Sequence, residues 1–149
     1  MKKRANVMIV AVIAVILVIS SYWVYGQSGV ELATNTTKEV QEGDFTLHIR
    51  VERMDEGVRV FRAIQYTGDE SVEIKHQTPL VSVSLKHSNH DYTGSTVSRT
   101  LHTADSYHPQ DAKTFDVPGE GAYTLFCEAN FSVDGEQMTI SHQEELIFQ

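Results

Sequence analysis

The chain has 149 residues, 41% of them hydrophobic, and a formal net charge of −8; that length allows one domain with a short appendage. Three of its twelve Lys and Arg are Lys2, Lys3 and Arg4, so the remainder sets nine basic residues against twenty acidic ones, a balance of −11. So acidic a surface excludes nucleic acid and anionic lipid headgroups as its partners, and the single cysteine, Cys127, excludes an intrachain disulfide.

Residues 1–6 form a basic N-terminus. From Val7 to Ile19 no side chain is polar, and Ser20 to Tyr25 extend the run to 19 residues. A helix of that length spans about 28 Å, close to the thickness of a bilayer's hydrocarbon core. The segment 7–25 is therefore expected to be a transmembrane anchor. The basic cluster keeps the N-terminus cytoplasmic and sends the rest of the chain outside, with Tyr22, Trp23 and Tyr25 at the outer interface. This predicts a single-pass protein of the cell membrane. A cleaved signal peptide ending at Gly26 is the competing reading, and three bulky aromatics beside the cut argue against it. No Cys lies near the end of the segment to carry a lipid. Residues 26–42, with Gly, Ser, Asn and three Thr, read as a flexible linker.

Residues 43–149 read as one extracytoplasmic β-domain. Phe45, Leu47, Ile49 and Val51 alternate with polar residues, and Asp55-Glu56-Gly57 is a turn. Val58, Val60, Ile64 and Tyr66 share a face that Arg62 interrupts. A cation there predicts a bulge or an edge where the guanidinium reaches water. After the turn at Thr67–Glu70 come Val72 and Ile74, with His76 in phase as an inward or rim histidine. Pro79 introduces Val81, Val83 and Leu85. Lys86–Gly94 is a polar loop, Thr96–Leu101 a weaker strand, Ala104–Lys113 a second polar loop and Thr114–Val117 a short strand. Pro118-Gly-Glu-Gly121 signals a turn. It opens the cleanest strand of the domain, where Tyr123, Leu125, Cys127, Ala129, Phe131 and Val133 share one face and only Phe126 breaks the polar alternation. Asp134-Gly135 is a hairpin turn, and Gln137–Phe148 is the last strand. Seven to nine short strands without an amphipathic helix predict an all-β antiparallel sandwich.

Gly121-Ala122-Tyr123-Thr124-Leu125 resembles the start of strand F in immunoglobulin-like and fibronectin-III-like domains. The resemblance implies a tyrosine corner at Tyr123. Leu125 stands where antibody domains carry Cys, and the only Trp is Trp23, so the antibody subtype is excluded. Phe61–Leu80 resembles uncharacterised small exported membrane proteins of bacilli, a likeness of twenty residues that implies no activity. A fainter similarity is to the bacillar intracellular proteinase inhibitors, whose location the anchor contradicts.

Seven histidines lie in the domain. His87-x2-His90-Asp91 and His102-x2-Asp105-x2-His108 combine imidazole with carboxylate, a donor set suited to Zn(II) or Cu(II). These six residues are the metal candidates, provided the two loops meet. Cys127, on a buried face, is expected to act as a small hydrophobe. No Gly-x-Ser-x-Gly elbow, phosphate-binding glycine loop or activated serine is present. The sequence thus predicts a non-catalytic membrane-anchored binding module for an unknown protein partner, without a cofactor. Its expected contact surfaces are the two polar loops, and its alternative is a metal-binding module built on their histidines.

Overall fold

The computed structural model describes residues 31–149 except Pro118. The anchor predicted over 7–25, and with it the membrane topology, lies outside the described residues, as does the proline of the turn before Gly121. Ten strands follow in chain order: β1 (Thr36–Glu42), β2 (Phe45–Met54), β3 (Gly57–Tyr66), β4 (Val72–Gln77), β5 (Val81–Leu85), β6 (Thr96–Leu101), β7 (Ser106–Tyr107), β8 (Lys113–Asp116), β9 (Gly121–Val133) and β10 (Glu136–Phe148). They form two five-stranded antiparallel sheets. The first runs β1-β2-β3, with β7 and β8 sharing the far flank of β3. The second runs β10-β9, with β4 and β5 sharing the far flank of β9 and β6 outside β4.

Period-two alternation decides which side chains enter the space between the sheets. Leu47, Ile49 and Val51 of β2, Val58, Val60 and Ile64 of β3, and Leu125, Cys127, Ala129 and Phe131 of β9 are all buried there. Each large aliphatic or aromatic side chain so placed contributes about 1.5–3 kcal/mol. Phe45 ties the sheets together, its ring centroid 5.1 Å from Tyr66 and 5.0 Å from Phe131. The predicted hairpin between β9 and β10 turns through Asp134 and Gly135, both at positive φ (47° and 90°). Two such residues give the turn a twist that matches the strands it joins. Gly57 serves a different need: a Cβ there would collide with the backbone of Phe115 on β8.

The domain starts earlier than the sequence suggests. Residues 36–42, expected to be linker, are β1 and pair with β2 from Thr36↔Val51 to Glu42↔Phe45. Leu32 is also in the core, 1% exposed, and bridges Phe148. Around it Glu31 and Gln149 exchange two backbone hydrogen bonds (3.1 and 3.0 Å), and the Ala33 N–H donates to Ile147 O at 2.8 Å. Residues 31–33 thus lie along the second sheet before the chain crosses to the first. The side chains of Lys38, Glu39, Gln41 and Glu42 are exposed. What recruits them is the row of N–H and C=O groups that β2 would otherwise leave open.

Candidate functional site

The flank of β3 is not continuous. Tyr107 pairs with Ile64 and Ser106 with Gln65, and the next ladder partner along the strand is Lys113, opposite Val60. Phe61, Arg62 and Ala63 are left without ladder partners on that side, and the chain passes them as a loop, His108–Ala112.

Arg62 occupies this gap, and here the sequence expectation fails. The β2–β3 ladder runs unbroken from Phe45↔Tyr66 to Met54↔Gly57, so there is no bulge. The side chain does not reach water either, the residue being 8% exposed. It points between the sheets, where Nε donates to Val81 O (3.1 Å) and Nη1 to Asp111 O (2.8 Å). The Gln110 side-chain amide donates in turn to Arg62 O (3.3 Å). Carbonyls that a broken flank would orphan are thus met by side chains. Burial lowers the pKa of the guanidinium, but not enough to discharge an arginine. Lys113 Nζ donates to Val83 O at 3.0 Å. Two cations therefore cap the free edge of β5, which blunts it against strand addition.

Outside the gap lies a groove of about 540 Å3, floored by Phe61 and Ala63 and walled by His108, Pro109, Gln110 and Ala112. It crosses β3 and β2 as far as Thr37 on β1. Its polar rim belongs to β2. The Arg50 guanidinium lies 4.4 Å from the Phe61 ring centroid, and its Nε is 3.3 Å from Glu52 Oε1. His48 sits between Gln65 Oε1 (3.0 Å) and Glu39 Oε1 (3.1 Å). The volume is in the range of ligand-binding clefts, and so is an apolar floor with a few convergent polar groups.

The six metal candidates do not come together. His87 and Asp91 line a polar recess of about 750 Å3 beside β5. His90 lies in another, its Nε2 3.9 Å from Glu128 Oε2. His102 and Asp105 form an exposed pair at 3.4 Å, and His108 is in the wall of the groove. Among the described residues no three His, Cys, Asp or Glu side chains are placed to hold one ion. The two loops fold against different parts of the sandwich. The Asp105 carboxylate instead accepts the His102 N–H at 2.8 Å and closes a tight turn through Ala104, whose φ is +69°. That bond holds Asp105 below its ordinary pKa, with a smaller contribution from the His102 side chain.

The remaining expectations fare better. His76 is buried and bridges the sheets, with Nε2 2.9 Å from Tyr107 Oη and Nδ1 2.8 Å from Gln77 O. Tyr123 Oη donates to Gly119 O at 2.9 Å, the reach of a tyrosine corner. Cys127 is a buried free thiol whose pKa burial pushes up to about 12. It is less isolated than the sequence implies: His142 stands opposite it on β10, Glu144 raises its pKa further, and Arg62 lowers it. Phe126, out of phase in the sequence, shares a recess with Ser88 and His90 and is half-buried there. The groove itself carries no motif. Its trace in the sequence is Phe61 and Ala63 on a face whose other residues include Arg59 and Gln65.

No protein-family model and no curated protein matches this sequence. Among solved structures, the GAE domain of GGA2p from Saccharomyces cerevisiae superposes with a TM-score of 0.44 at 11% identity, over 75% of this chain and 96% of that one.

Proposed function

We propose that the protein is a non-catalytic binding module: an immunoglobulin-like sandwich, held outside the cell by the apolar segment 7–25, that engages its partner through the groove over Phe61 and Ala63. The groove carries this reading. Its apolar floor lies on the outward face of a sheet, where alternation would put polar side chains. The arrangement of nucleophiles supports the non-catalytic part. Among the described residues the hydrogen bonds join no Ser or Cys side chain to a histidine, and the thiol of Cys127 is held protonated. The bond from Tyr123 supports the immunoglobulin-like assignment.

A fragment library screened by amide chemical shifts on the isotopically labelled full chain tests the reading. Shift changes should concentrate on Phe61, Ala63 and His108–Ala112. Hits that gather on the loop Lys86–Gly94 instead, leaving Phe61 unmoved, would remove the basis for it.

A further inference from the structure

We infer that the groove takes an extended acidic peptide segment with apolar side chains between its carboxylates; this rests on the groove being the binding surface. Charge is divided unequally between the sheets. The strands of the first carry six Lys and Arg against four Asp and Glu. Those of the second carry two against five. Arg62 and Lys113 of the first sheet point inward to carbonyls of β5, which leaves its other strand charges at four against four, so in a chain with twenty acidic residues the groove opens on the less acidic sheet.

The rim groups are disposed to accept carboxylates. Arg50 lies over the Phe61 ring, and its one carboxylate contact, Glu52, has a side chain 36% exposed. His48 is held by Glu39, whose side chain is 64% exposed. Polar contacts this open are worth little, so an incoming carboxylate can replace either at small cost. Among the described residues the only acidic one lining the groove is Asp111, and its backbone carbonyl already serves Arg62.

Shape selects the class of ligand. The groove runs across β1, β2 and β3 to the loop wall, which at about 4.8 Å between strands is about 15 Å. An extended chain covers that distance with about five residues. Alternate side chains of such a segment point to opposite sides, so apolar ones face Phe61 and Ala63 while acidic ones reach the rim. A channel this long and open suits a linear segment rather than an enclosed small molecule.

The test uses the full chain in mild detergent and three fluorescent eight-residue peptides: alternating Glu and Leu, alternating Lys and Leu, and alternating Glu and Ser. Fluorescence anisotropy, with empty micelles as blank, should show the Glu/Leu peptide binding at least about tenfold more tightly than the other two. Arg50→Ala should weaken it by a similar factor and raise its salt tolerance. Phe61→Ser should do the same without the change in salt response. Pro109→Glu on the loop wall adds a repelling charge and removes no core contact, so it keeps the test open should Phe61→Ser fail to fold. Equal binding of the Lys/Leu peptide, still lost with Phe61→Ser, would overturn the acidic specificity and leave the groove standing. Glu/Leu binding indifferent to all three substitutions would dismiss the groove itself. Absence of binding by every peptide up to millimolar concentration would overturn the inference.

Discussion

The two polar loops, Lys86–Gly94 and Ala104–Lys113, look alike in the sequence: both are hydrophilic, both carry histidine and aspartate, and both follow a strand. In the fold they do opposite things. The first lies down on its own sheet. Tyr92 Oη donates to Glu128, whose backbone carbonyl is 2.8 Å away and whose Oε1 is 3.0 Å away. The Asn89 N–H donates to Ser84 Oγ, and the Gly94 N–H to Thr78 O. The second loop stands off. It contributes two residues to the sheet as β7, leaves it, and is held beyond Tyr107 by Arg62 and Gln110. A loop anchored through a tyrosine on a strand's outer face covers that face. A loop anchored through an arginine that passes between the strands leaves the outer face open, and the groove is the opening.

Each anchor can be cut separately. Arg62→Ala should have the largest effect, about 3 kcal/mol off the unfolding free energy, because it leaves Val81 O and Asp111 O without their donors. Urea titration measures the loss. Hydrogen exchange should quicken at residues 108–112 and stay unchanged at 86–94; equal quickening in both loops would show that the anchors are not independent. Tyr92→Phe is the mirror experiment. It removes a bond to Glu128 and should cost about 1–2 kcal/mol, with faster exchange confined to 86–94. Burial, and next the bond to Glu128, raise the pKa of that phenol, so its hydroxyl remains a donor at every pH at which the protein is handled.

The smallest effect concerns the start of the second loop. The His102 N–H holds Asp105 below the ordinary value of 3.8. A carboxyl whose folded pKa is lowered adds stability above the unfolded value, and loses it as the pH falls through the folded one. The melting temperature of the wild type should therefore drop more steeply below about pH 4 than that of Asp105→Asn, with the curves nearly parallel at neutral pH. Identical acid limbs would show that this turn contributes nothing to acid stability.

The contrast between the loops also marks what a sequence reading reaches. β9 was legible residue by residue, because one face is buried and the other is not, and a strand in that position must alternate. β1 is illegible because Lys38, Glu39, Gln41 and Glu42 are exposed and only Val40 between them packs against the core; the strand pairs through its backbone, which every sequence has. A bulge or an edge is the expectation for Arg62, on the sound ground that a charge avoids a core. It does not hold because two carbonyls 49 and 19 residues away along the chain accept the guanidinium's hydrogen bonds. The histidine spacings were visible, yet spacing within a loop says nothing about where the loop lies down. The groove is the extreme case: it exists because a flank breaks between β7 and β8, an event no local pattern encodes.

The pairing of residues 31–33 with 147–149 has a mechanical corollary. Residues 31–33 and 147–149 are laced side by side by three backbone bonds, which together make the Leu32–Phe148 bridge. Tension arriving through residue 31 is met first by the final strand, and its bonds must open in succession, like a zip, before the load reaches β1. Clipping off residues 147–149 would remove that fastening, and with it the Phe148 ring that packs on Tyr123 at the start of β9.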